Sequence, residues 1–234
     1  MSEQIKISCL IPTWNEELRI RNVLLIAATH PLIDEIIVID DGSTDATRAI
    51  VGELSLQFPK IRLISHEKNQ GKTAAICTGI EKACGEFVLL LDADLVGLTE
   101  MNLHSLIIPV LSGEADVSIS LRGNAPAPWQ WISLDYISGE RVLPREFLLQ
   151  YTSVLRTLPK FGLESYMNKC IIKSNLKIKI VAWPDVESPW KYKKVGLAKG
   201  VWQDAIMILD IFRTITIFGP VYQIIRMKQL EVKK

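Results

Sequence analysis

Residues 36–39 form a short apolar run, and directly behind them stands DDGSTD, residues 40–45. Gly42 permits a tight turn, Ser43 or Thr44 can cap a following helix, and Asp45 suits that helix's positive end. None of this needs the pair Asp40 and Asp41, because adjacent carboxylates repel and neither is required as a cap. Asp41 is the stronger candidate for a ligand role, accepting hydrogen bonds from the N–H groups of a nucleobase; Asp40 reads equally well as structural. A second acidic motif, DAD at residues 92–94, follows the most apolar run in the chain, FVLLL. On an extended segment alternate side chains point the same way, so Asp92 and Asp94 can hold one hard cation, Mg2+ or Mn2+, against a ligand's phosphates. Such an ion would neutralise a departing diphosphate. Alone, D-x-D is common by chance; behind a buried strand and downstream of DDGSTD it gains weight. A solvated turn with an aspartate capping the next helix is the plain alternative.

A third motif, NQGKTAAI at residues 69–76, places Gly71 and Lys72 at the start of a helix. Helix N-termini bind anions, and a lysine there adds charge. The run resembles the end of a P-loop, but position 66, where that loop needs a glycine, is His66, so an ATPase or GTPase reading is rejected.

The elements that must position these groups alternate. Residues 5–11, 35–39, 61–64 and 87–91 read as strands; residues 16–28, 45–58 and 72–83 have helical spacing. Continuous apolar strands joined by amphipathic helices predict an α/β fold with a doubly wound, mostly parallel open sheet covered on both faces. Ligands of such sheets bind beyond the strands' carboxyl ends, where TWNEE, DDGSTD and DADL all fall. The second half is less regular: a strand at 116–121, a loop at 124–131 (NAPAPWQW), a helix at 143–155, a strand at 177–181, a loop at 182–194, and a helical pattern from about residue 200.

A chain of 234 residues suits one domain with a substantial core. A formal net charge of +1 gives no global field favouring nucleic acid. Cys9, Cys77, Cys84 and Cys170 include no C-x-x-C pair and read as buried, reduced thiols of a cytoplasmic protein. The three histidines are scattered, which argues against zinc. The opening MSEQIKI lacks the pattern of a signal peptide, and no run has the length and apolarity of a membrane span.

Taken together, IPTWNEE, VIDDGSTD, NQGKTAAI and LLDADL resemble, in order and spacing, the family 2 glycosyltransferases of the GT-A fold, nearest the polyprenyl-phosphate and dolichyl-phosphate sugar synthases. The resemblance is good over residues 7–121 and looser beyond. It implies metal-dependent transfer, with inversion, from a nucleoside-diphosphate sugar to a polyprenyl phosphate or a lipid-linked or envelope saccharide. Pro12, Trp14, Glu16 and Asp41 would line the base and ribose pocket, with Trp14 standing where the family usually has tyrosine. Asp92 and Asp94 would face the ribose-phosphate and the metal, Asp94 being the more direct ligand, and Lys72 would lie near the donor phosphates. In ISGERVLPREF, residues 137–147, the resemblance makes Ser138, Gly139 and Arg141 the floor of the sugar or acceptor pocket; for Gly139 a plain turn is an equal reading. Glu164, in FGLESYMN, stands where relatives often carry a general base, which a hydroxyl nucleophile needs and an anionic phosphate does not. Lys191, Lys193, Lys194 and Lys199 are either a solvated face or a site for an anionic acceptor or diphosphate; relatives use arginine there, and lysine lacks its planar fork.

This divides the chain into a GT-A domain over 1–200, comprising a donor half (1–121) and an acceptor half (122–200), and an amphipathic tail over 201–234. The tail's Trp202, Ala205, Ile206, Leu209 and Phe212, then Tyr222, Ile224, Ile225 and Met227 with nearby basic residues, suit packing on the domain or a second subunit, or peripheral contact with the inner face of a membrane. Two rivals stay open. A nucleotidyltransferase usually opens on a Gly-rich phosphate loop, absent here, and a non-catalytic sugar-nucleotide module would lack the acceptor motifs.

Overall fold

The computed structural model describes residues 6–158, 162–189 and 219–232. The donor half alternates strand and helix: β1 (Ile7–Thr13), α1 (Ile20–Thr29), β2 (Glu35–Asp40), α2 (Thr47–Gln57), β3 (Ile61–Ser65), α3 (Lys72–Lys82), β4 (Phe87–Leu90), α4 (Glu100–Leu111) and β5 (Val117–Arg122). It continues through α5 (Ala127–Trp131), β6 (Arg141–Pro144), α6 (Arg145–Leu149), α7 (Thr152–Leu155), α8 (Leu163–Lys173), β7 (Ile178–Trp183) and α9 (Gly219–Leu230).

The strands form one sheet in the order β3-β2-β1-β4-β6-β5-β7, parallel except where β6 runs against β4 and β5. Side chains alternate across a strand, so a strand buried on both faces feeds two cores. On β1, Ile7, Cys9 and Ile11 join Val23 and Leu24 of α1, Val51 of α2 and Leu106 of α4 on one face. Leu10 joins Ile76 and Ile80 of α3, Leu148 of α6 and Ile171 of α8 on the other. The doubly wound sheet expected from the apolar runs is what the chain forms.

Several local expectations are corrected. The stretch 143–155 is not one helix. Val142 and Leu143, both fully buried, belong to β6, where Leu89 pairs with Val142 and Leu90 with Arg141; α6 and α7 follow separately. The proline-rich loop contains the short helix α5, entered through Pro126 as N-cap. Helix α1 starts at Ile20 rather than near residue 16, because Asn15 takes a left-handed φ of 55° and ties β1 to the DDGSTD loop. Its N–H donates to Ser43 Oγ at 2.9 Å, and its Oδ1 accepts from the Thr44 N–H at 2.9 Å. The cysteines form no disulfide, but Cys84 is exposed rather than buried.

The described part of the tail is docked on the acceptor half. Helix α9 buries Gln223 and Met227, Gln223 Oε1 accepts from Tyr136 Oη at 2.6 Å, and the Val232 N–H reaches the Ile178 carbonyl at 2.8 Å. Trp202, Ala205, Ile206, Leu209 and Phe212 lie outside the described residues.

Candidate active site

The carboxyl ends of β1, β2 and β4 meet the amino end of α3, and the polar motifs gather there. Gly42, at φ 76°, lets the β2 loop press against the loop before α3; a Cβ would fall 2.7 Å from the Asn69 nitrogen, so no side chain fits. Within this contact the two aspartates divide their roles. Asp40 is fully buried, pairs with Arg48 Nε and accepts from the Ser43 N–H, which is a structural assignment. Asp41 accepts from Gln70 N–H at 2.9 Å and Gly71 N–H at 2.7 Å, and its Oδ1 lies 2.7 Å from His66 Nδ1. Its carboxylate thereby orders the approach to α3, which carries no side-chain cap of its own. Beside it, two buried hydroxyls, Thr13 Oγ1 at the end of β1 and Thr73 Oγ1 in the first turn of α3, lack a hydrogen-bond partner.

Lys72, the first residue of α3, spans the two halves of the molecule. Its Nζ lies 2.7 Å from Asp92 Oδ1 and 3.2 Å from Glu164 Oε1, the latter in the first turn of α8. Gly139 closes over this triad: a Cβ there would stand 2.8 Å from Nζ and 2.9 Å from an Asp92 oxygen. A side chain there would push the ends of Lys72 and Asp92 aside. Desolvation by burial lowers the Lys72 pKa, but the carboxylates of Asp92 and Glu164 outweigh it and hold the ammonium charged.

Under the triad lies a second layer of charge. Arg122, at the carboxyl end of β5, bonds Asp135 at 3.1 Å and lies 3.6 Å from Glu140. Glu140 is fully buried; its Oε2 accepts from Ser120 and Ser138 hydroxyls at 2.8 and 2.9 Å, and burial raises its pKa against the opposing pull of Arg122. Burial likewise works to lower the Arg122 pKa, yet Glu140 and Asp135 leave it raised. Arg141, also fully buried, donates to Ser138 O (2.8 Å), Asn168 Oδ1 (2.6 Å) and Tyr136 O (3.3 Å). Ser138 and Arg141 therefore support the pocket floor from beneath. Both side chains are fully buried, on either side of Gly139 and Glu140, and bear on a pocket through the backbone that they hold.

Past the end of β4 at Leu90 the chain turns at Ala93 and Asp94, so the DAD segment is not extended throughout, contrary to the expectation from the sequence. Burial still alternates, with Ala93 and Leu95 inward and Asp92 and Asp94 partly exposed, but the two carboxylates have different neighbours. Asp92 meets Lys72, while Ser188 Oγ lies 3.4 Å from both oxygens of Asp94. Ser188 belongs to a segment held against the loop that follows the DAD turn: Val96 and Glu187 exchange backbone hydrogen bonds at 2.9 Å, and Gly97 and Gly123 leave room for the carbonyls of Asp185 and Pro184. Among the described residues no three acidic, histidine or cysteine side chains gather to hold an ion alone. Two carboxylates at a strand end do fit an ion that takes its remaining ligands from bound phosphates, the usual mode for Mg2+.

Trp14 leaves β1 with its side chain 54% exposed, a free aromatic surface, with Pro12 part-buried behind it. Glu16 lies 3.5 Å from Arg19, and its N–H bonds Thr47 Oγ1 at 2.9 Å. Lys191, Lys193, Lys194 and Lys199 lie outside the described residues. Sequence reasoning gave no role to His66, Arg122, Asp135, Glu140 or Asn168. Arg122 carried a usable signal, a charge directly behind an apolar strand, the same signal that marked Asp92.

A model of the family described as glycosyl transferase family 2 matches residues 8–163. Bactoprenol glucosyl transferase of Shigella phage SfV is 32% identical over 124 residues, covering 51% of this chain and 40% of that protein. A dolichyl-phosphate beta-glucosyltransferase of Trichomonas vaginalis is 38% identical over 94 residues, 36% of this chain and 28% of that protein. The chain thus spans less than half the length of either relative. Among solved structures, glucosyl-3-phosphoglycerate synthase of Mycobacterium tuberculosis, in complex with Mn2+, UDP-glucose and phosphoglyceric acid, superposes with a TM-score of 0.68. That match covers 90% of this chain and 79% of the other at 22% identity, which is a likeness of fold.

Proposed function

We propose, from the premise that this chain belongs to glycosyl transferase family 2, that it moves a sugar from a nucleoside-diphosphate sugar to a polyprenyl phosphate or a lipid-linked or envelope saccharide, inverting the anomeric carbon. One observation carries the reading: Lys72 on the donor side and Glu164 on the acceptor side meet at 3.2 Å beside Asp92, so groups suited to the two substrates share one point. The bactoprenol and dolichyl-phosphate enzymes similar to it support the choice of acceptor.

In this reading Trp14, Pro12 and Glu16 pack on the nucleoside, and Asp41 presents its carboxylate and the loop that it orders. The orphaned hydroxyls of Thr13 and Thr73 suit a polar ligand at the same edge. Asp92 and Asp94 would hold Mg2+ or Mn2+, which supplies charge neutralisation to the diphosphate as it leaves. Lys72 adds its charge to the same phosphates, and Glu164 takes the proton of a hydroxyl acceptor. Lys193 and Lys194 are assigned to an anionic acceptor. Alignment of the two substrates supplies the rest.

The test is thermal unfolding across nucleoside diphosphates with Mn2+. A saturating correct nucleotide should raise Tm by about 5 °C or more, and EDTA should reverse most of that rise. No shift with any of them would remove the donor site. Labelled UDP- and GDP-sugars then separate the rivals: slow sugar release supports a transferase, pyrophosphate exchange a nucleotidyltransferase, and binding alone a non-catalytic module.

Peripheral membrane contact is part of the same proposal. No helix among the described residues is long and apolar enough to cross a membrane. Helix α9, however, exposes Val221, Tyr222 and Ile225 at 60%, 59% and 53% beside Arg226 and Lys228, a composition suited to an interface with anionic headgroups. The chain should float with phosphatidylglycerol vesicles, and a Tyr222→Asp, Ile225→Asp variant should stay at the bottom. Equal flotation of both would discard this contact.

A further inference from the structure

Asp92 and Glu164 come from opposite halves of the chain and converge on one place. Two carboxylates brought together repel, and such a pair ordinarily collects a hard cation. Here that place is filled from within by the Lys72 ammonium, 2.7 Å from one and 3.2 Å from the other. Gly139 lies directly over it: a Cβ there would stand 2.8 Å from Nζ, so the ammonium rests close against bare backbone. The Lys72 side chain nevertheless stays 35% exposed, so an arriving anion can reach it.

We propose that Lys72 is a tethered counter-cation, holding the place of the divalent ion at Asp92 until a nucleotide arrives, so that the ion enters with the nucleotide's phosphates and not ahead of them. This rests on the donor-site reading above. The incoming diphosphate offers the ammonium a new anionic partner, and the flexible lysine stem lets it follow. Its departure removes one cation from beside Asp92 and makes room there for the ion. The free protein thus keeps its two reactive carboxylates neutralised.

The experiment measures Mn2+ binding by electron paramagnetic resonance with the full chain and no nucleotide. Lys72→Met removes the charge and keeps the length; it should bind Mn2+ about tenfold more tightly than the wild type. Lys72→Arg keeps a cation in the seat and should bind as weakly as the wild type. Lys72→Gln carries the same expectation as the methionine variant should that one fail to fold. Unchanged Mn2+ affinity in the uncharged variants would overturn the counter-cation while leaving the donor site standing. Calorimetry of the wild type with UDP and GDP in Mn2+ reads the other premise separately: absence of nucleotide binding there overturns the donor reading and the order of entry with it.

Discussion

Arg141→Met should destabilise the protein by about 3–5 kcal/mol, the usual consequence of removing one partner from a buried charged network. The guanidinium is fully buried and satisfies Ser138 O, Asn168 Oδ1 and Tyr136 O together. Burial lowers its pKa overall, and the nearby carboxylates of Glu164, Asp135 and Glu140 offset only part of that. Without it, Ser138 O and Asn168 Oδ1 lose its N–H groups, Tyr136 O is left with the Asn168 Nδ2 donor at 3.0 Å, and the buried Asp135 and Glu140 lose a nearby counter-charge. Urea unfolding followed by circular dichroism measures the loss. Arg21→Met, which breaks an exposed pair with Glu53, should leave the midpoint where it is. Comparable midpoints for the two variants would show that Arg141 does not brace the acceptor half.

Glu164→Gln should lower the rate of transfer to a hydroxyl acceptor by about 100- to 10,000-fold, the range for losing a positioned base. It should leave transfer to a polyprenyl phosphate nearly intact, because that nucleophile is already anionic. The amide oxygen can still accept from Lys72, so nucleotide-dependent thermal shifts should be preserved. Single-turnover assays with both acceptor types therefore report on the acceptor's chemistry as well as on the residue. Full turnover on a hydroxyl acceptor would take Glu164 out of the mechanism.

Much of the donor half was legible because its signals are local. A parallel strand buried on both faces reads as an unbroken apolar run, and the polar residue that ends it is the one delivered to the sheet's carboxyl edge, as with Asp41 and Asp92. The acceptor half hides its logic in long-range contacts. RVLP, residues 141–144, is too short to show a period, and a proline after two apolar residues looks like a helix start; only pairing with β4 and β5 makes it a strand. Helix α4 went unread because SLIIPVL is apolar on all sides and contains Pro109, although Thr99 and Asn102 form a capping box at its entrance. No pattern in one dimension announces that Arg141 is buried or that Glu140 shares its hydroxyl donors with a network. The close neighbour of Gly139 is a lysine 67 positions earlier.

The reversed direction of β6 has a consequence for how such a molecule can change. Pairing Leu90 with Arg141 delivers residues 138–140 to the edge reached by Asp92, so the register of this short ladder sets how the second half of the chain meets the first. Lengthening the chain before Leu134 leaves that alignment untouched, whereas adding one residue between Gly139 and Val142 would turn the arginine to the opposite face. If the proposed division of labour holds, a second half grafted from a cousin of this protein works only when it keeps the ladder's count of residues, with the ladder as the splice.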